Sequence, residues 1–569
     1  MEPRRLQRSS RLVVARVGPA SQTSSYGDSS DAGRRGVDVA LVGYQDQGNL
    51  GMGYLAAVLQ EHGRTVEMID VRDGPEKIAS RLCARPPLVV GFSLIFQYFL
   101  PQFRRVATHL RNVGMRSHFT IGGHYPSLCH DELLQNFPEI DSVVRYEGEV
   151  TLLELVDRLS SGRDWHDSAG IAYSRKGEVI VTEARPLVPD LDTLPFPYRP
   201  YEPEQIGGFP TLPVLASRGC ARRCSFCSIH TFYRTAPGKV VRVRKPVKVI
   251  EEMQQLHKEH GVRVFLFQDD DFPLWGNPGR RWATEMIDRF HESGLADDTV
   301  WKISCRGEYV DAELFIRLRD AGLFLVYMGI ESGVEDGLEV LNKEMTVEGN
   351  LKAVRTLKDL GILFSYGFML FDPSSTFESV RQNVGFLREI TGDGSAAATF
   401  CRMLPYGGTP IRDQLAKEGR LRGDLTHPDY VFNDLRLNEY HRLLSQTARA
   451  WIHNEGLSHH LNYAWDELET IARLVRGLKG TDTYRTALRA LTAESNEKLF
   501  QLVEISSEAF EHGDRSPLNE AAARGYCDDA AARLFTLRRS FLSDNVYLLM
   551  EAVQTTTTSD GPVMAPQIH

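Results

Sequence analysis

The sequence lacks several features that would assign it to a specialised class. Eight cysteines in 569 residues are too few and too scattered for the disulfide framework of a secreted protein. No apolar run approaches the roughly 18 residues that a membrane span requires. The formal net charge is −9 and no dense Lys/Arg run stands out, so the composition gives no sign of a basic surface that would bind nucleic acid. We expect a cytoplasmic protein with no membrane span and no nucleic-acid partner.

What is present indicates several folded units between two polar ends. The length alone predicts three or four such units. We expect residues 1–36, rich in Arg, Ser and Gly, to be a disordered leader, with an organelle signal as the alternative. Residues 554–569 read as a disordered tail. Between these ends the sequence pattern changes at about residues 165, 207 and 412.

Residues 37–165 alternate short β-branched runs with amphipathic helical stretches, which predicts a Rossmann-like, doubly wound parallel sheet. We expect strands at 37–43, 65–70, 88–93, 118–121 and 142–146. Each run is followed by glycine or another small residue. In an open parallel sheet these loops line the crevice where ligands bind. The pattern fits a large, flat, nucleotide-like ligand, but it equally fits glycines that only make tight turns.

The rest of the chain predicts a linker, a barrel and a helical unit. Residues 166–207 contain a small hairpin and a proline-rich run, typical of a linker. In 208–412, six strand-like runs ending in polar residues alternate with helical stretches, too few for a complete eight-fold barrel, so we expect a partial (β/α)6 barrel. From about 413 the strands are expected to stop, and 413–553 should form a separate α-helical domain.

Three cysteines are concentrated in the stretch SRGCARRCSFCSIH. Cys220, Cys224 and Cys227 follow the first predicted barrel strand at a spacing too irregular for one helix face. Thiolates are the usual ligands of iron–sulfur clusters, normally four for a four-iron cube. Three therefore predict a 4Fe-4S cluster with one iron left open for substrate. The alternative is a Cys3His zinc site completed by His230.

The order Cys-x3-Cys-x-Phe-Cys after a barrel strand resembles the signature of the radical S-adenosylmethionine (radical SAM) superfamily. The segments FLFQDDDF, CRGEYVDAELF, GIESGVEDGLEVLNK and LPYGGTPI are similar to the subgroup with an N-terminal cobalamin-binding domain, its class B methyltransferases included. The resemblance implies that the open iron chelates S-adenosylmethionine and that Phe226 packs near the adenine. It also implies that Asp269, Asp270, Arg306 and Glu331 project towards that cofactor. Their alternative roles are helix caps and surface ion pairs.

The resemblance implies a cobalamin site without the histidine that one class of cobalamin domain places below the cobalt. That class carries Asp-x-His-x-x-Gly after its first strand, where this chain has YQDQGNL. His124 is the alternative axial ligand. A second departure is LFDPSST, where many relatives have a Gly-Glu-Thr turn. The expected cobalamin contacts are Gly48, Asn49, Ser93, Leu94, Gly122, Gly123, His124 and Glu147.

The implied activity is methylation of an unactivated carbon in a natural-product intermediate or modified peptide, through a 5′-deoxyadenosyl radical and methylcobalamin. An external electron donor of flavodoxin or ferredoxin type would reduce the cluster. Two alternatives stay open: cyclisation or ring rearrangement without net methyl transfer, and a non-catalytic cobalamin or iron–sulfur sensor. We expect substrate contacts from four barrel-lining residues, which otherwise belong to the core: Tyr233, Cys305, Tyr366 and Cys401.

Overall fold

The computed structural model describes residues 37–45 and 48–554. The predicted leader, 1–36, lies outside the described residues, as does the predicted tail except for Gln554, which ends the last helix. The described chain contains two seven-stranded sheets and a helical C-terminal region. Within it, no helix has the length and apolarity needed to cross a bilayer.

The first sheet has the strand order β2-β1-β3-β4-β5-β6-β7. Its first five strands are parallel, and helices cover both faces, because the strands are apolar on both sides and must be covered. The elements are β1 (Val39–Gly43), α1 (Leu50–Glu61), β2 (Val66–Asp70), α2 (Pro75–Leu82), β3 (Val89–Ser93), α3 (Leu100–Asn112), β4 (His118–Gly122), α4 (His124–Leu128), α5 (His130–Asn136), β5 (Ser142–Val144), α6 (Glu149–Ser160), β6 (Ile171–Arg175) and β7 (Glu178–Val181).

The hairpin that we had placed in the linker belongs to this sheet. Strand β6 pairs antiparallel with β5, and β7 pairs with β6, so the hairpin satisfies the backbone groups that β5 would otherwise expose at the edge. The first unit therefore extends to about residue 182, beyond the expected boundary at 165. The proline-rich segment that follows makes the only connection in sequence between the two sheets.

The second sheet is a curled half-barrel with the order β16-β15-β14-β13-β12-β9-β8. Six of its strands are the expected parallel ones, and β8, antiparallel to β9, adds an edge strand that the sequence did not reveal. The elements are β8 (Glu204–Ile206), β9 (Phe209–Val214), β10 (Ser217–Arg218), α7 (Ser228–Thr235), β11 (Arg242–Val243), α8 (Pro246–His260), β12 (Val264–Phe267), α9 (Gly276–Glu292), α10 (Leu295–Asp298), β13 (Val300–Cys305), α11 (Ala312–Asp320), β14 (Leu323–Glu331), α12 (Glu335–Val340), α13 (Val347–Asp359), β15 (Leu363–Phe371), α14 (Phe377–Thr391) and β16 (Cys401–Arg402).

Residues alternate along the barrel strands between a helix-facing side and the inside of the half-barrel, called the lumen below. On β13, Trp301, Ile303 and Cys305 are buried in the core that the outer helices cover, whereas Lys302 and Ser304 are only half-buried. Successive side chains of a strand point to opposite faces, so these two residues face the lumen. The same alternation runs through β14 and β15.

The C-terminal region differs from the expectation in two respects. Strands do not stop at 413, because β17 and β18 form a hairpin. The region is also not a separate unit, because its apolar residues and those of the half-barrel form one continuous core. The elements are α15 (Pro410–Lys417), β17 (Leu421–Gly423), β18 (Pro428–Tyr430), α16 (Arg436–Thr447), α17 (Arg449–Ile452), α18 (Leu457–Leu474), α19 (Thr481–Glu511), α20 (Glu520–Asp544) and α21 (Val546–Gln554).

Candidate functional site

The carboxyl ends of the two sheets face one another across a cavity of about 490 Å³. The loops after β1, β3, β4 and β5 all reach the cavity, and the first sheet lines it with small residues such as Gly91, Ser93 and Gly122 as well as larger ones such as Tyr44, Phe92 and Ile95. The half-barrel provides larger side chains from β10, α7 and the end of β12. Residues from both walls include Asn49, Ser93, Ile95, Gly122, Gly123, His124, Tyr146, Glu147, Ser217, Arg218, Phe232, Tyr233, Gln268 and Asp270.

Most of the expected cobalamin contacts line this cavity, but Gly48 and Leu94 do not. The Leu94 side chain is buried in the core of the first domain, and only its backbone approaches the Gly123 loop. Gly48 packs against Tyr201 of the proline-rich segment. Leu94 was expected from the resemblance of its loop and Gly48 from the room a glycine leaves, but here both positions serve packing.

Two residues in the first wall have backbone conformations that side chains rarely adopt. Gly123 has φ 115°, and a Cβ there would overlap the Leu94 carbonyl oxygen. Tyr146 has φ 62°, and its N–H donates to Ser127 Oγ at 2.7 Å. Strained positions held by surrounding contacts concentrate at ligand sites, so Tyr146 joins the candidate contacts. The sequence showed it only as an aromatic residue next to Glu147.

His124 begins the short helix α4 and faces the barrel wall. Its ring centroid lies 4.4 Å from that of Phe232 on α7. Burial lowers the pKa of His124 to about 4, so the imidazole is neutral at ordinary pH. A neutral imidazole is the form that binds metal ions. His124 therefore borders the cavity as a neutral imidazole, the form that can bind a metal ion.

Glu147 joins the two walls through buried ion pairs. Its carboxylate accepts hydrogen bonds from Arg218 at 3.1 Å and Arg242 at 2.7 Å, and from the Val188 N–H at 2.7 Å. Glu149 adds a 2.7 Å pair with Arg218. Because arginine charge and hydrogen bonds outweigh desolvation, the pKa of Glu147 is lowered. Its oxygens are thus engaged within the protein, so Glu147 acts as an interdomain clamp that borders the cavity.

The three consecutive aspartates after β12 have different surroundings. Asp269 accepts from the Ala216 N–H at 3.2 Å and from Ser217 Oγ at 2.5 Å, so it holds the strand that leads into the cysteine loop. Asp270 accepts from the Gly219 N–H at 2.8 Å and lines the cavity. Burial raises the pKa of Asp269 to about 7 and that of Asp270 to about 6.

Asp271, which the sequence did not single out, lies closest to the cysteines. It is 4% exposed, its Oδ2 is 4.0 Å from Cys220 Sγ, and its Oδ1 has no hydrogen-bond partner within the described chain. Burial raises its pKa to about 7. An unpartnered buried carboxylate oxygen is costly unless a ligand satisfies it, so Asp271 is a stronger candidate than Asp269 for contact with a cofactor.

The three cysteines surround one region at the mouth of the half-barrel. Backbone hydrogen bonds fix the loop, from the Ser225 N–H to the Leu341 carbonyl at 2.9 Å and from the Ile411 N–H to the Ser225 carbonyl at 3.0 Å. Burial raises the pKa of Cys220 to about 11 and of Cys227 to about 12, so positive charge must stabilise their thiolates.

The thiols fit a cluster better than a single metal ion. In the part of the chain that the structure describes, no three or more His, Cys, Asp or Glu residues converge to hold one ion. A cube differs, because each thiolate binds a different iron and the thiols need not converge. His230 is directed elsewhere, with Nδ1 3.1 Å from the Cys227 carbonyl oxygen. The Cys3His zinc alternative therefore finds no support in the geometry.

Charged groups from β13 and β14 complete the mouth. Arg306 places Nη1 3.9 Å from Cys224 Sγ, while its Nη2 donates to the Lys343 carbonyl at 2.5 Å. Glu331 ends β14 at φ 68° and pairs with Lys343 Nζ at 3.1 Å. Phe226 is partly buried against the half-barrel core. Arg306 and Glu331 thus lie at the lumen entrance, next to the cysteine loop, and they stay candidate S-adenosylmethionine contacts.

The four expected substrate contacts separate into two groups. Cys305 and Tyr366 belong to the helix-facing core, where Tyr366 lies beside Phe364 and Phe368, so the expectation that they line the barrel is wrong. The alternation of side chains between two faces was predicted correctly. Which of the two faces points into the lumen could not be predicted, because apolar residues occur on both. Cys401 is exposed, with Sγ 3.5 Å from the Phe368 carbonyl oxygen. Tyr233 lines the interdomain cavity rather than the lumen.

The segment in place of the Gly-Glu-Thr turn forms a closed turn of its own. Asp372 is buried and accepts from the Ser374 N–H at 2.7 Å and from the Ser374 hydroxyl at 2.5 Å. Its backbone N–H donates to Ser375 Oγ at 2.9 Å. The polar groups of this turn thus satisfy one another.

Comparisons with known proteins agree with this two-domain site. The family models described as "B12 binding domain" and "Radical SAM superfamily" match residues 36–156 and 214–387. An uncharacterized methyltransferase of Pyrococcus horikoshii is 31% identical over 368 residues, which cover 64% of this chain and 77% of that protein. The chain belongs to the cobalamin-dependent radical SAM enzymes. Its cofactors are accordingly a 4Fe-4S cluster, S-adenosylmethionine and cobalamin, and it requires a reductant and a small-molecule substrate.

Other members of the cobalamin-dependent radical SAM enzymes differ in reaction. The anaerobic magnesium-protoporphyrin IX monomethyl ester cyclase of Cereibacter sphaeroides is 30% identical over 380 residues, covering 64% of this chain and 59% of that cyclase. Among solved structures, the radical enzyme OxsB with aqua-cobalamin and S-adenosylmethionine bound has a TM-score of 0.63, 18% identity and coverage of 92% of this chain and 83% of OxsB. The methyltransferase TsrM from Kitasatospora setae has a TM-score of 0.56 and 21% identity, covering 67% and 75%.

The residues present fit the cofactors of this family. The wall from the first sheet includes Gly91, Gly122, Gly123 and Gly148, where the absence of a side chain lets a flat macrocycle approach closely. The buried thiols need positive charge, which cluster iron supplies, and the unpartnered Asp271 oxygen faces the same mouth. Sequence reasoning identified the cysteines and the glycine loops. It missed Tyr146 and Asp271, for which only their place beside predicted residues was a signal.

Proposed function

We propose that this protein is a C-methyltransferase that methylates an unactivated carbon of a natural-product intermediate or modified peptide. The observation that carries the proposal is the shared space at the mouth of the half-barrel. Ser217, Arg218 and Asp270 line the interdomain cavity, and the same short segments lead directly into or contact the cysteine loop. The cobalamin domain and the cysteine loop thus open towards one another.

The cofactors supply the radical and the methyl group, and the chain's own residues position them. Cys220, Cys224 and Cys227 are proposed to hold the cluster, with Arg306 offsetting the charge at Cys224. Asp271, Glu331 and the backbone of the loop after β15 are proposed to orient S-adenosylmethionine. Clamping by Glu147 keeps the two walls in register, and such positioning contributes much of the rate in reactions with several centres.

The first wall is proposed to bind cobalamin through Asn49, Ser93, Gly122, Gly123 and Tyr146. Asn49 is fixed for this role, because its side chain donates to the Tyr44 carbonyl at 2.7 Å and accepts from the Met52 N–H at 3.1 Å. We propose that no histidine binds the cobalt from the loop after β1. His124 remains the side chain to test, since it borders the same cavity.

A second reaction class, cyclisation or rearrangement without net methyl transfer, has support from the relatives. A magnesium-protoporphyrin ester cyclase is about as similar to this chain as the Pyrococcus horikoshii methyltransferase. A further relative, the cytidylyl-2-hydroxyethylphosphonate methyltransferase of Streptomyces wedmorensis, is 24% identical over 440 residues, 78% of its length, and two further cyclases are 29% and 28% identical, so both reactions occur among the relatives and methyl transfer is the one we propose to test first. The intact cysteine loop disfavours a non-catalytic sensor.

Label transfer separates the two reactions before any substrate is known. The reconstituted protein is incubated anaerobically with reductant, cobalamin and S-adenosylmethionine carrying a deuterated methyl group. Methyl transfer predicts that mass spectrometry finds the deuterated methyl on the cobalamin. Formation of 5′-deoxyadenosine with an unlabelled cobalamin would instead support cyclisation or rearrangement. The reductant used should be of flavodoxin or ferredoxin type, which we propose as the electron donor.

A further inference from the structure

Helix α18 of the C-terminal region closes the lower end of the lumen, opposite the cysteine loop. Its residues contact the chain where the barrel strands begin: Ser458 Oγ donates to the Ala398 carbonyl at 2.7 Å before β16, and Arg473 donates to the Leu323 carbonyl at 2.9 Å at the start of β14. Asn462 accepts from the Ala397 N–H at 2.9 Å. The helix therefore forms a floor beneath the half-barrel.

Two charged residues face each other above this floor. Lys302 lies on the lumen side of β13, and Asp466 lies near the middle of α18. Asp466 follows Asn462 by four residues and Ser458 by eight, so it lies on the face of α18 that contacts the half-barrel, and its charge acts on that of Lys302. Within the described chain, however, neither makes a hydrogen bond or an ion pair with any residue. Their polar atoms are therefore available to another polar group.

Half-buried charges that make no hydrogen bond or ion pair within the described chain are unusual and call for an explanation. Both residues are half-buried, Lys302 on the lumen side of β13 and Asp466 on the face of α18 that contacts the half-barrel. Desolvation lowers the pKa of Lys302 and raises that of Asp466 to about 7, which shows the cost of this placement. Fixed polar groups that converge on an internal space are the usual sign of a binding site.

The lumen connects this pair with the reaction centre. Arg306, beside Cys224, follows Lys302 by four residues along β13, a rise of roughly 13 Å. Between the two levels lies Tyr327 of β14, whose Cα is in register with that of Ser304 and whose side chain is 38% exposed. The ring of Tyr327 lies 5.9 Å from Lys302 Nζ. A ligand in this space would pass an aromatic face and end at the charged pair.

We propose that Lys302 and Asp466 form a polar subsite that binds an uncharged, hydrogen-bonding end of the substrate, such as a carboxamide or hydroxyl group. Such a group accepts from the Lys302 ammonium and donates to the Asp466 carboxylate at once. The pair is neutral overall when both groups are ionised. A carboxylate, phosphate or ammonium end would add an unbalanced charge to a poorly solvated space. The subsite thus selects against singly charged ligands.

This inference rests on the proposed function, because it assigns one end of that enzyme's substrate. Small probes test the subsite separately from the reaction. Acetamide, acetate and methylammonium are compared by saturation-transfer NMR on the anaerobically reconstituted protein. We expect the strongest transfer to acetamide, by at least about threefold, and its loss in a Lys302→Met, Asp466→Leu double variant. A matched control, Lys77→Met with Asp73→Leu, replaces an exposed pair 2.6 Å apart and should retain the signal.

Several outcomes would overturn the subsite. These are stronger transfer to acetate or methylammonium, no transfer to acetamide, or an acetamide signal that persists in the double variant. If that variant fails to fold, Lys302→Gln with Asp466→Asn keeps the volumes and should also weaken acetamide transfer. Cleavage of S-adenosylmethionine is measured in parallel on the same preparations. Its absence in the wild type would contradict the proposed function without affecting the probe result.

Discussion

The two walls of the interdomain cavity are built in different ways. The wall from the first sheet depends on backbone conformation, with Gly123 at φ 115° and Tyr146 at φ 62°. The wall from the half-barrel depends on charged and aromatic side chains, and Glu147 joins it to the first through Arg218 and Arg242. Because of this difference, the addition of a single carbon, as in a glycine-to-alanine change, should be enough to disturb the first wall. The second is sensitive to the loss of a charge.

The largest effect should come from the cysteine loop. In Cys224→Ala we expect loss of cluster iron and of S-adenosylmethionine cleavage, because three thiolates are the minimum that holds a site-differentiated cube. Iron content and 5′-deoxyadenosine formation measure this. Cys305→Ala is the matched control, since that thiol is equally buried but faces the outer helices. Retained cleavage in Cys224→Ala would refute the cluster assignment.

The next largest effect should come from the charge that joins the walls. Glu147→Gln leaves Arg242 without a carboxylate partner and Arg218 with Glu149 alone, and an uncompensated buried charge typically costs about 3–5 kcal/mol. Denaturant unfolding of the protein without cofactors measures it. Glu154→Gln is the control, because that residue pairs with arginines at a more exposed site and should lose no more than about 1 kcal/mol. Equal losses would mean that the clamp contributes nothing special.

A smaller effect should come from the backbone wall. Gly123→Ala forces a Cβ into the Leu94 carbonyl and should destabilise the protein by about 1–3 kcal/mol while reducing cobalamin retention. Gly114→Ala is the control, since Gly114 has φ 92° but open space around its Cβ position. Both variants share the backbone strain, so only Gly123→Ala should release cobalamin. Equal retention, read from visible absorbance, would show that the loop does not shape the site.

The smallest effect concerns pH. Burial raises the pKa of Asp466 from its ordinary value of 3.8 to about 7, so the folded state binds this proton more tightly than the unfolded chain. The resulting stability is full below about pH 4 and falls as pH rises towards 7, by at most about 1.4 kcal/mol per pH unit. Asp466→Asn should therefore gain melting temperature relative to wild type over that range, then level off.

Asp424 provides a control for the pH measurement. Hydrogen bonds from Thr426 lower the pKa of Asp424 to about 2, so it is ionised in both states above about pH 5. Asp424→Asn should then show a constant difference from wild type between about pH 5 and 8. A similarly constant difference in Asp466→Asn would show that Asp466 does not carry a raised pKa.

Local sequence patterns predicted most strands and helices. The face that each strand turns to the lumen and the pairing of distant residues depend on long-range contacts, which local patterns do not show. The strand before Ser93 and the loop with Cys220 were evident because strand periodicity and cysteine spacing are local signals. Residues such as Cys305 and Tyr366 were assigned to the wrong face, since a strand with apolar residues on both sides does not reveal which side faces the lumen. The engagement of Glu147 with two distant arginines had no local signal at all.

The most direct test of the account is whether cobalt and cluster share one space between the two walls. Electron paramagnetic resonance of the cobalt(II) state is recorded with the cluster oxidised and then reduced, at a potential that leaves cobalt(II) unchanged. The account predicts that reduction of the cluster broadens the cobalt signal, and that Cys224→Ala abolishes this change. A cobalt signal unaffected by the reduced cluster in the wild-type protein would contradict it.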